Sequence, residues 1–120
     1  MNLKNPTGHP QVMVKIGILV DEGIAPLVSA LSEFPDIETW DSCQGDNAAP
    51  GWGWVSFSHR GGDDALFVFC KEIVKRLSLI KDLGWSLCVR WQDDSDKPYG
   101  LLEVPCSAIE GIAQGLREHK

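Results

Sequence analysis

Residues 52–80 read WGWVSFSHRGGDDALFVFCKEIVKRLSLI, and the hydrophobic period changes in the middle of the stretch. That change decides the fold class. Residues 52–59, WGWVSFSH, alternate, with Val55 and Phe57 directed to one side, which predicts a strand. Gly61-Gly62-Asp63-Asp64 then supplies a turn and a helix start, where acidic side chains suit the positive end of the helix dipole. Beyond it Leu66, Phe69, Cys70, Ile73, Leu77 and Ile80 recur at helical spacing. A strand that hands directly to an amphipathic helix calls for a sheet with helices laid against it.

The same reading extends in both directions. Residues 12–20, VMVKIGILV, alternate as a strand, with Val12, Val14, Ile16, Ile18 and Val20 on one face. GIAPLVSALSEF (23–34) predicts a helix that tolerates Pro26 in its first turn and stops at Pro35-Asp36. IETWDSC (37–43) predicts a strand with Ile37, Thr39, Asp41 and Cys43 on one face and Glu38, Trp40 and Ser42 on the other. WSLCVRWQ (85–92) is another, with Trp85, Leu87, Val89 and Trp91 opposite Cys88 and Arg90. The turn DDSDKP leads to the strand YGLLEV (99–104). Ser107 and Glu110 are spaced as a capping box before a helix carrying Ile109, Ile112, Ala113 and Leu116.

The resulting order, β-α-β-β-α-β-β-α, predicts an α+β domain. Its expected form is a ferredoxin-like split β-α-β core with an added strand and a C-terminal helix, the sheet covered by helices on one face. A three-layer α/β sandwich is the alternative. Residues 1–11 are read as an N-terminal tail and 12–120 as a single α+β domain, the usual count for 120 residues.

Eleven basic against 17 acidic residues give a net charge of −6, which opposes nonspecific adhesion to nucleic acid. No segment approaches the ~20 apolar residues of a membrane span, and the N-terminus lacks the form of a signal peptide. Cys43, Cys70, Cys88 and Cys106 are widely spaced, so reduced thiols and a cytoplasmic location are expected.

The strand end at DSCQGDNAAPGWGW (41–54) is the first candidate site. A rigid strand passing into a glycine-bearing turn can present side chains and amides to a ligand, which nominates Ser42, Cys43, Gln44 and Gly45. Cys43 reads as part of a ligand turn, as a nucleophile or as a buried thiol. A nucleophile needs a neighbouring base, and His59 is the one histidine in the middle of the chain. His59-Arg60-Gly61-Gly62 forms a second candidate, where helix-start amides and an arginine fork suit a carboxylate or phosphate, or simply a solvated connection. Trp52 and Trp54 flank Gly53 and serve as ligand-stacking aromatics or as packing. Arg90 falls within a strand; on a sheet face without helices it is solvent-exposed, or joins Trp40 on a ligand platform. Asp21, Glu22 and Asp41 offer carboxylates without the spacing of a metal site, so no metal is expected.

Two resemblances accompany these residues. VDEGIAPLVSAL, IETWDSCQG and GWVSF, within residues 20–58, resemble a group of small uncharacterised bacterial proteins with a Thr-x-x-Ser-Cys-Gln-Gly strand end. The strand end is also similar to the Ser-Cys-Ser-Gly-Arg signature of the wybutosine-synthesis transfer-RNA methyltransferases, which use S-adenosylmethionine. Ser42, Cys43 and Gly45 match that signature; Gln44 replaces its second serine, and Asp46 replaces the arginine that would contact phosphate.

The expected function is binding of a small polar or anionic ligand around Cys43–Gly45, with Trp52, His59 and Arg60 contributing. The alternatives are a thiol-dependent or S-adenosylmethionine-dependent enzyme, with Cys43 and His59 as catalytic candidates, and an acidic module that docks on a basic protein. Either a monomer or a homodimer formed through an open sheet face is compatible with the sequence.

Overall fold

The computed structural model describes residues 10–15, 18–43, 51–80, 83–92 and 96–118. The α+β class holds, with strands β1 (Gln11–Lys15) and β2 (Ile18–Asp21), helix α1 (Ala25–Ser32), strands β3 (Ile37–Cys43) and β4 (Trp52–His59), helix α2 (Asp63–Ser78), strands β5 (Ser86–Trp91) and β6 (Pro98–Pro105), and helix α3 (Ile109–Glu118). Four of the predicted elements change in detail.

Residues 12–20 are not one strand: β1 and β2 form an antiparallel hairpin, a sheet of their own beside α1 and β3. Period-two alternation is common to one long strand and two short ones, so it cannot reveal a reversal between Lys15 and Ile18. The main sheet is antiparallel, in the order β3-β4-β6-β5. β4 and β5 are therefore parallel, joined through α2 and split by β6, which is the split β-α-β arrangement. The strand expected as an addition is thus central. Ser107 lies inside a short 3-10 turn (Cys106–Ala108) ahead of α3, so it does not head the expected capping box.

All three helices share one core on one face of the sheet. Leu27, Leu31, Leu66, Ile73, Leu77, Ile112 and Leu116 pack with Val55, Phe57, Leu102 and Val104, all at most 2% exposed. Phe57 meets Phe69 of α2 edge-to-face, with ring centroids 5.5 Å apart. Gly100 stands opposite Phe57 in the ladder, and its missing side chain leaves the room that the Phe57 ring fills. Among the described residues no helix packs on the other face.

β3 departs from simple alternation. Thr39 pairs with Phe57 and Asp41 with Ser56, so Trp40 is an extra residue opposite a single step of β4. Such a bulge shifts the phase of every later side chain. Ser42, opposite Val55, turns to the helix side, and Asp41 and Cys43 turn to the open side.

Candidate functional site

The register of the four strands builds a trough on the open face. One row across the sheet is Asp41, Ser56, Leu101 and Cys88, each paired with the next. A second row, two residues along each strand, is Cys43, Trp54, Glu103 and Ser86. On the other side of the first row stand Tyr99 and its partner Arg90. Trp40 reaches this side from the bulge, its ring 5.0 Å from that of Tyr99 at 73°. Small side chains at Ser56 and Ser58 on the intervening strand let a β3 tryptophan meet a β6 tyrosine.

The result is a cavity of about 420 Å³ lined by Trp40, Asp41, Trp54, Ser56, Arg90, Gln92, Tyr99, Leu101 and Glu103. Its floor is buried, with Ser56 at 4% and Leu101 at 8% exposure, whereas the Trp40 wall is 46% exposed. Four positions along an antiparallel strand span about 14 Å, which sets the distance between the Tyr99 and Glu103 rows. The Arg90 guanidinium has its pKa raised above the ordinary value, first by a hydrogen bond with the Cys88 side chain, then by the charges of Cys88, Tyr99 and Glu103. That contact also makes Cys88 a thiol with a cation beside it.

The sequence-predicted residues fall in separate places. Cys43 ends β3 opposite Trp54, while His59 ends β4 opposite Ile37. Five strand steps separate Trp54 from His59, about 17 Å. Cys43 and His59 are thus at opposite ends of one hairpin, and a thiol–imidazole pair does not form. Ser42 faces the helices and is separated by the sheet from Cys43. Trp52, 40% exposed, pairs with Pro105, and its ring rests against Gly84, outside the trough. Gln44 and Gly45 lie outside the described residues.

His59 and Arg60 do share a concavity, one of about 350 Å³ with Glu38, Ser58, Gly62, Asp63, Leu66, Lys97 and Pro98. Its groups are already engaged with one another. His59 Nδ1 accepts the Gly61 N–H at 2.8 Å. Arg60 Nε donates to Glu38 Oε1 at 2.6 Å, and this bond raises the pKa of the guanidinium above its usual value. An incoming anion would have to displace Glu38 and face Asp63. Asp21 is buried at the end of β2, away from Asp41 on the open face; among the described residues no group of three His, Cys, Asp or Glu side chains is placed to hold a metal ion.

No protein-family model, curated protein or solved structure matches this chain. Function is therefore argued from the site itself. Trp40 and Arg90 were legible as partners on an open face. Trp54, Tyr99, Leu101 and Glu103 were not, because only the β4–β6 pairing aligns them; their alternation with the core residues Val55, Leu102 and Val104 was the available signal.

Proposed function

We propose that this protein is a ligand-binding domain whose small polar ligand lies on the open sheet face. The observation that carries the reading is the trough itself: aromatic walls from three strands, a buried floor and a few polar groups at the edge. Binding sites for small molecules have this composition, apolar surface with a small number of placed polar groups. The location shifts from the strand-end turn to the adjoining face, with Cys43 at its border. Two carboxylates, Asp41 and Glu103, against one guanidinium, Arg90, make the lining a poor receiver of anions. The polar half of the sequence expectation is retained and the anionic half is set aside.

Other features fit the same reading. None of the four cysteines is in a disulfide, as suits a reducing compartment such as the cytoplasm. Among the described residues no helix is long and apolar enough to cross a membrane. The net charge of −6 argues against nucleic acid as the ligand.

The test is a screen of small polar compounds by amide chemical-shift mapping on the intact chain. Binders should move resonances of Asp41, Trp54, Ser56, Arg90, Tyr99 and Glu103. Shifts confined to Glu38, Ser58, Arg60, Asp63 and Lys97 would transfer the function to the other concavity and overturn this reading.

A further inference from the structure

The trough's walls and charges select among polar ligands, and this step rests on the ligand-face reading above. Trp40, Trp54 and Tyr99 come from three different strands and line one cavity. The Trp40 and Tyr99 rings meet nearly at right angles, making a corner of two aromatic surfaces. An aromatic ring is electron-rich on its face, so several rings around one space attract positive charge. Asp41 and Glu103 stand in the same lining and add formal negative charge.

Among the described residues, no Lys or Arg is stacked over Trp40, Trp54 or Tyr99. Arg90 lies on the edge strand as the ladder partner of Tyr99, hydrogen-bonded to the Cys88 side chain. Among the described residues, the cation stacked over a ring is Arg76, 4.8 Å from the centre of Phe34 on the helix side of the sheet. The net charge of −6 raises the concentration of small cations near the surface.

The kind of cation follows from solvation. A primary ammonium ion is strongly hydrated and needs three acceptors on entering a site. Against the Trp40 and Tyr99 rings the carboxylate on hand is Asp41, and the floor beneath adds only the Ser56 hydroxyl beside apolar Leu101, so a primary ammonium stacked on the rings would leave donors unmet. A methylated ammonium spreads its charge over methyl groups, gives up less hydration and presents apolar contact to the rings. We infer that the open face binds a small methylated ammonium compound, held at the Trp40–Tyr99 corner and neutralised by Asp41.

The experiment titrates the full chain with choline and, in parallel, with 3,3-dimethylbutan-1-ol, which has the same shape without the charge. Tryptophan fluorescence and chemical shifts provide the readouts. Choline should bind roughly 2- to 30-fold more tightly than the neutral alcohol, the ratio that a cation–π preference of about 0.5–2 kcal/mol produces. Trp40→Ala should weaken choline at least tenfold, Asp41→Asn several-fold, and Tyr99→Phe, which keeps the ring, by less than twofold. Circular dichroism on each variant separates lost binding from lost folding. Equal affinity for the two probes, or binding of neutral polar compounds alone, overturns the cation assignment and leaves the ligand face standing. Failure of every probe to perturb this face overturns both.

Discussion

The two faces of the β3-β4-β6-β5 sheet are made by the same strands and differ in every other respect. On one face Val55, Phe57, Leu102 and Val104 are fully buried under three helices. One residue further along the same strands, Trp54, Ser56, Tyr99, Leu101 and Glu103 form a surface that no helix among the described residues covers. The division separates two duties. The covered face holds the fold together by removing apolar area from water. The open face can then carry large aromatics and paired charges, because the fold does not depend on packing there.

The comparison breaks most sharply at Phe57. Phe57→Ala should destabilise the domain by about 3–5 kcal/mol in urea unfolding, since the ring is fully buried and its cavity cannot refill. Gly100→Ala comes next, at about 1–3 kcal/mol, because the new methyl would occupy the space of the Phe57 ring. Gly62 tests the frame rather than either face. It caps α2 at φ 99° and ψ −172°, a conformation nearly closed to other residues, and Gly62→Ala should lower stability by about 1 kcal/mol in thermal unfolding. Trp40→Ala, on the open face, should change stability by less than about 1 kcal/mol. A loss as large as that of Phe57→Ala would mean that the open face is a second core.

The thiols distinguish the faces without changing stability at neutral pH. Burial on the inner side of α2 pushes the Cys70 thiol up to about 11. Its pKa is higher folded than unfolded, so the stabilisation from keeping it neutral is complete below the ordinary thiol value and is lost as pH rises through about 11. Peptide mapping after brief alkylation at pH 8 should find Cys70 the last cysteine modified, well behind the half-buried Cys88.

Much of the architecture was legible because periodicity reports which side of an element is buried. Leu27, Val28 and Leu31 in α1, and Leu66, Cys70, Ile73 and Leu77 in α2, are buried as their spacing predicts. Two things were hidden. Alternation is blind to chain reversal, so the β1–β2 hairpin read as one strand. A bulge leaves no local compositional mark, so Asp41 and Cys43 were placed on the face of Thr39, which they leave after Trp40. The site suffered most from this blindness. Cys43 and His59 each end a strand of one hairpin, and the antiparallel register holds them at its opposite ends, so the two candidates do not make one site. The trough needed non-local pairing, above all that of β4 with β6, and no local pattern encodes it.

The central place of β6 also orders events during synthesis. β3, β4, α2 and β5 precede residues 98–105 in the chain and emerge from the ribosome ahead of them, and β4 can meet β5 only across the gap that β6 will fill. Until then the inward edges of β4 and β5 carry unpaired backbone groups, which are prone to pair with other chains. The last strand made is therefore the keystone, and nascent chains of this protein are most open to mispairing just before it arrives.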